Sequence, residues 1–163
     1  MGDDGELVAA RLARGCRCFA LHVQGRLAGY GWLSAGPEWM GELSLEIRPA
    51  PGEAYVWNCV TLPEHRRQGL FRALLLGILR VAAREGTRRL WLGSIDRLGE
   101  SAVAGAGFSP VLRLNVLDLP GLLWLSVRGV EGADQLLVEE ARRSLGEGAR
   151  LRSGPRRPRR RRH

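Results

Sequence analysis

Residues Thr61 to Leu75, TLPEHRRQGLFRALL, set His65, Arg66, Arg67 and a glycine directly ahead of an apolar run with helical spacing. The first turn of a helix exposes unpaired backbone N–H groups and the positive end of the helix dipole, and a glycine lets a ligand approach the main chain. Arg66, Arg67, Gln68, Gly69, Leu70 and Phe71 occupy that turn, so the expected guest is an anion, most naturally a diphosphate. The alternative is a plain strand-to-helix connection whose arginines are solvated.

All 25 basic residues are arginine. Without lysine, a Walker A phosphate loop and a Schiff base to pyridoxal phosphate are both excluded. Main-chain amides do not need lysine, and Arg66 or Arg67 can add charge-assisted contacts.

Other chemistry is thinly represented. Cys16, Cys18 and Cys59 give an odd count, which favours reduced thiols over a disulfide framework; Cys18 and Cys59 read as small strand hydrophobes. Cys16 and Cys18 lack a second close pair, and His22, His65 and His163 lack ligand spacing, so no metal site is expected. Glu42, Glu46 and Glu53 are either an attraction for a cationic amine or simply a wet face. No stretch approaches the roughly 20 apolar residues of a membrane span, and the acidic, polar start is unlike a signal peptide, which makes the cytoplasm the default location.

The net charge of +8 is unevenly spread: residues 150–163 hold eight arginines and no acid, leaving 17 arginines against 17 acids in residues 1–149. Such a Pro/Arg run cannot bury apolar surface and is expected to be disordered. It reads first as a solvated extension, from biased coding or an altered reading frame, and second as a loose contact for nucleic acid or anionic membrane. The chain thus divides into one domain, residues 1–148, and a tail, residues 149–163, with a length of 163 residues sufficient for a single core.

The elements that must position the glycine turn follow from periodicity. Glu6 to Arg14 reads as a short helix; Cys18 to Val23 and Leu27 to Leu33 read as strands around a Gln24-Gly25-Arg26 turn. Met40 to Arg48 alternates, with Leu43, Leu45 and Ile47 opposite Glu42, Ser44 and Glu46, and predicts one half-buried strand. Ala54 to Leu62 is a more apolar, more central strand. Leu70 to Arg84 carries Leu70, Leu74, Ile78 and Val81 on one helical face. With a strand at 89–94 it completes a βαβ unit, hence parallel strands and a right-handed crossover. A short helix near Leu98 to Ala104 leads to a hairpin, Val111 to Leu119 and Leu122 to Arg128, around Pro120-Gly121. Ala133 to Leu145 closes as a helix with Leu137, Ala141 and Leu145 in register. The fold class is α/β, a mixed central sheet with helices on both faces.

With VTLPEHRRQGLFRALL, RRLWLGSID and AGAGF in this order and spacing, the chain resembles the GNAT superfamily of acyl-CoA-dependent N-acetyltransferases over roughly residues 16–130. Arg66 to Phe71 matches the family signature Arg/Gln-x-x-Gly-x-Gly/Ala except that Phe71 replaces the usual small residue. GEAYVWNCVTLPEH is similar to uncharacterised bacterial members.

The resemblance implies that Cys59, Val60 and Thr61 hydrogen-bond the pantetheine arm of acetyl-CoA through their backbone. Arg66, Arg67, Gln68, Gly69, Leu70 and Phe71 would bind the pyrophosphate. The strand at 89–94 would splay from the strand at 54–62, opening a wedge where thioester and amine meet, with a backbone N–H near Val60 for the oxyanion. Histone-type members carry a glutamate base where this chain has Tyr55, and Glu53 lies on the same face; either is a candidate to relay the proton through water. The tyrosine that many members use as general acid falls at Val103, which leaves that proton to water, and Asp96 stands where an asparagine often contacts coenzyme A. The family's usual strand and helix ahead of residues 6–14 are expected to be missing, giving strand 18–23 an open edge; a homodimer, a minimal variant and a shortened gene model all fit.

The resulting expectation is an enzyme that moves an acetyl group from acetyl-CoA to a primary amine, small-molecule or peptide, as monomer or homodimer and without metal. A non-catalytic coenzyme A binding domain and nucleic-acid association through the arginine tail are the alternatives.

Overall fold

A computed structural model describes residues 2–145 apart from 41, 42, 44, 95, 96, 120 and 121. The arginine tail, Asp96, Glu42 and Ser44 therefore lie outside the described residues.

Helix α1 (Gly2–Ala13) leads into strands β1 (Arg17–Val23) and β2 (Arg26–Ser34), which pair antiparallel. Gln24 and Gly25 have φ of 51° and 77°, the two left-handed residues of a tight hairpin turn. Strands β3 (Glu38–Met40) and β4 (Leu45–Ile47) follow, then β5 (Glu53–Thr61), a 3₁₀ turn at Pro63–His65 and helix α2 (Leu70–Arg84). Strand β6 (Arg89–Leu92), helix α3 (Arg97–Gly105), strands β7 (Leu112–Leu119) and β8 (Leu122–Gly129) and helix α4 (Gln135–Ser144) complete the order.

The central sheet runs β1-β2-β5-β6, with β5 and β6 parallel and the other neighbours antiparallel, so the predicted βαβ unit and mixed sheet are present. Strand β1 is an edge, as expected. The β7–β8 hairpin forms a sheet of its own and packs Leu114 and Leu125 against the central one. The two faces of β5 carry the two cores. Ala54 and Val56 face α2, which buries Leu74, Leu75, Ile78 and Ala82 there. Tyr55 and Trp57 face the other side, against Leu45, Ile47 and Trp91. Helix α4, capped by the Asp134 carboxylate accepting from the Leu136 amide at 2.8 Å, closes that second side through Val138, Ala141 and Ser144.

Four expectations change. Met40 to Arg48 is not one strand: Met40 pairs with Leu45, so the chain reverses between them and only Leu45–Ile47 is extended. The alternation still holds, since Leu45 and Ile47 are buried; the short hairpin is held by Glu38, which is buried beside Cys16 and Arg14. Strand β6 stops at Leu92, leaving Gly93 and Ser94 outside it. Cys18 is exposed because β1 is an edge strand, whereas Cys16 is buried. In α4 Ala141 is buried as expected, but the fully buried positions beside it are Val138 and Ser144, with Leu137 and Leu145 half-buried. Among the described residues, no helix is long and apolar enough to cross a membrane.

Candidate functional site

The site begins with a fault in the sheet. Strand β2 pairs Tyr30 with Val60 and Trp32 with Trp57, so Gly31 alone faces both Asn58 and Cys59, a β-bulge. Asn58 takes φ of 46°, a left-handed conformation that asparagine tolerates better than most residues. Gly31 is required opposite: a Cβ there would stand 2.7 Å from the Cys59 sulfur. Gly29 is equally constrained, its Cβ falling 2.7 Å from the Val60 carbonyl oxygen. Sequence reasoning missed Asn58; its signal was an asparagine inside an otherwise apolar strand pattern. Asn58→Val is expected to cost about 1–2 kcal/mol in urea unfolding, because a β-branched residue resists this conformation, while Asn58→Gly stays near neutral.

The bulge bends β5 just after its last pair with β6, Val56 with Leu92. Among the described residues, β5 has no strand partner on that side from Trp57 onward, where the sequence placed the wedge. The Leu62 amide donates to the Ala28 carbonyl at 2.9 Å, so Leu62 and, by the alternation of an antiparallel ladder, Val60 turn toward β2. Cys59 and Thr61 therefore turn their backbone groups into the wedge. The backbone groups near Val60 that face the wedge are thus those of these two neighbours. The Thr61 carbonyl is already engaged, accepting from Arg66 Nε at 3.3 Å.

The Cys59 side chain points the other way, into the core under α2. Burial pushes its thiol up to about 11 from 9.0. A thiol whose pKa rises on folding stabilises the fold below the unfolded value and loses that contribution as pH climbs through the folded one. Stability is expected to fall between about pH 9 and 11 by up to ~2–3 kcal/mol, and a Cys59→Ala variant is expected to lack this component. Urea midpoints at both pH values, compared between the wild-type chain and Cys59→Ala, isolate it from Cys16 and Cys18, whose thiols burial also pushes up.

At the head of α2, Arg67 and Gly69 have φ of 60° and 74°, a pair of left-handed residues of the kind that build anion-binding concavities. The first amide of this turn with a protein partner is Ala73, donating to the Gly69 carbonyl at 3.1 Å; among the described residues the amides of Arg67 to Arg72 have none. A Cβ on Gly69 would meet nothing within 4 Å, so the space above the turn is open. Arg66 and Arg67 are exposed, and Gln68 reaches back to the Glu64 carbonyl at 3.5 Å. Phe71, which stands where the family signature has a small residue, packs its ring against the core cluster. Arg72 donates to the Gly105 carbonyl at 2.6 Å and ties α2 to the C-terminal end of α3.

Glu53 and Tyr55 share a face, as their spacing requires. Glu53 is buried and fully engaged: Oε1 accepts from Arg89 at 3.1 Å, and Oε2 accepts from the Trp91 indole N–H at 2.7 Å and the Ala50 amide at 3.2 Å. Arg89 also pairs with Glu140 of α4. This network lies at the β5 end opposite the wedge. Tyr55 is nearer: its hydroxyl is 3.5 Å from where a Cβ of Gly93 would stand, just past the last residue of β6. Val103 packs against the core cluster. Glu46 pairs with Arg48 at 2.5 Å, so of the three glutamates expected to attract a cationic amine, the two described both carry arginine partners. Among the described residues, no group of three or more His, Cys, Asp or Glu side chains is placed to hold a metal ion.

The acetyltransferase (GNAT) family model matches residues 3–104, from α1 through α3. The chain belongs to the GNAT acetyltransferase family. No curated protein sequence matches it. The GNAT fold recurs in solved structures at low identity. A Trypanosoma brucei acetyltransferase is similar at 20% identity and TM-score 0.53, over 71% of this chain and 77% of that one. A Bacillus subtilis acetyltransferase in complex with CoA is similar at 16% identity and TM-score 0.50, over 74% and 68%. The aminoglycoside N-acetyltransferase AAC(6')-Iy with a CoA bisubstrate analogue is similar at 15% identity and TM-score 0.51, over 66% and 73%.

Proposed function

We propose that this GNAT protein transfers an acetyl group from acetyl-CoA to a primary amine in the cytoplasm. The observation that carries the reading is that β5, past its last pair with β6 at Val56 and Leu92, runs on within a few residues to the open turn at Arg67 to Arg72, whose amides have no partner among the described residues. The CoA complex of the Bacillus subtilis relative supports the donor.

In this reading the Arg67 to Arg72 amides hold the pyrophosphate, with Arg66 and Arg67 as charged flanks, and Cys59 and Thr61 direct the pantetheine arm along β5. The neutral amine attacks the thioester carbonyl, the C–N bond forms and the C–S bond breaks. A backbone amide in the wedge stabilises the oxyanion. The amine's proton leaves through water past Tyr55, and the thiolate takes a proton from water, since Val103 offers none.

A second reading, a coenzyme A binding domain without turnover, is favoured by the engagement of both Glu53 oxygens and the apolar Val103. Calorimetry with acetyl-CoA followed by thiol release across an amine panel separates the two. Binding with turnover is the expected result; binding without turnover across small amines and peptides overturns the enzyme assignment.

A further inference from the structure

We propose that Arg11 determines the acceptor class by pairing with a carboxylate carried by the amine that the wedge acetylates. The inference rests on the acetyltransfer reading above and names the substrate class of the same site.

Trp57 is the first β5 residue past the last β5–β6 pair and faces away from α2, with Trp32 opposite it in register. The two rings lie 6.1 Å apart. Helix α1 lays Arg11 over both, its guanidinium carbon 4.3 Å from the Trp57 centroid and 5.1 Å from that of Trp32. A cation is therefore held over the face of the sheet opposite α2, beside the β5 residue at which the wedge opens.

Stacking occupies the flat face of a guanidinium and leaves the N–H groups in its plane free to donate. Among the described residues, those of Arg11 donate to no acceptor and pair with no carboxylate, whereas Arg14, one turn on, is paired with Glu38 at 3.2 Å. The Trp57 indole N–H is likewise buried without a hydrogen-bond partner. A buried donor without an acceptor asks for one from outside the protein. The carboxylates of β3, β4 and β5, namely Glu38, Glu46 and Glu53, are each held by an arginine. Among the described residues, the uncompensated charge beside the tryptophan pair is positive, which selects an anionic group and repels a second cation. A carboxylate matches a planar guanidinium fork in two parallel hydrogen bonds, and contact with two rings restricts the freedom that the Arg11 side chain would otherwise lose on binding.

The test uses the full chain, acetyl-CoA and matched amines: α-amino acids, their carboxamides and their decarboxylated counterparts, with thiol release as readout. The acid of each set is expected to exceed its partners in kcat/KM by at least about tenfold, the scale of one charge-assisted hydrogen bond. Arg11→Gln brings that ratio to about one, Arg11→Lys leaves part of it, and calorimetry shows acetyl-CoA still bound by both variants. Equal rates within the sets, preference for cationic diamines, or an Arg11→Gln effect that leaves the ratio intact overturns the proposal. Tryptophan emission titrated with N-acetyl amino acids reads the same site without turnover: a response lost in Arg11→Gln upholds the role of Arg11, and no response from the wild-type chain overturns it. Loss of acetyl-CoA binding in the wild-type chain would sink the acetyltransfer reading alone.

Discussion

Gly69→Glu is expected to weaken acetyl-CoA binding by at least about 100-fold, equivalent to ~2.7 kcal/mol. Two effects combine. The carboxylate enters the open space above amides that lack protein partners, where a pyrophosphate would bring its own negative charge. The backbone at φ 74° also disfavours any side chain, by about 1 kcal/mol. Gly69→Ala separates these contributions, since its methyl meets nothing within 4 Å and carries only the backbone cost. Calorimetry of both variants, with a thermal melt to confirm folding, gives the comparison; unchanged affinity in Gly69→Glu would mean that the phosphates bind elsewhere.

The second large effect falls on stability. Glu53→Ala removes the acceptor for Arg89, the Trp91 indole and the Ala50 amide at once, leaving a half-buried guanidinium with Glu140 as its one carboxylate among the described residues. Breaking such a network from one side is expected to cost about 3–5 kcal/mol in urea unfolding. Acetyl transfer per folded molecule should persist, because the carboxylate lies at the far end of β5 from the wedge. The opposite pattern, a Glu53→Gln variant of near-native stability with activity lost by two orders of magnitude, would restore Glu53 as the proton acceptor. The same assay on Tyr55→Phe measures the remaining candidate directly.

Local elements were readable because local chemistry sets them. The spacing of Leu70, Leu74 and Ile78 produces α2, and the alternation of Leu45 and Ile47 faces them inward. The glycine ahead of α2 takes the left-handed conformation its position suggested. Phe71 was legible as a departure from the family pattern, whereas its packing depends on the core it enters. The reversal between Met40 and Leu45 escaped periodicity for a similar reason: Leu43, Leu45 and Ile47 keep the same facing pattern whether or not the chain turns before them.

The βαβ unit, the glycine turn at the head of α2 and the family resemblance were all legible in the sequence, because each is carried by one continuous stretch of chain. Tertiary structure alone decided that Asn58 bends β5 against Gly31, that Glu53 joins Arg89 and Trp91, and that Arg11 stacks over Trp32 and Trp57. Each of these joins side chains from separate elements. Spacing along the chain fixes which face a side chain takes, but only packing fixes which charge, ring or carbonyl it meets there.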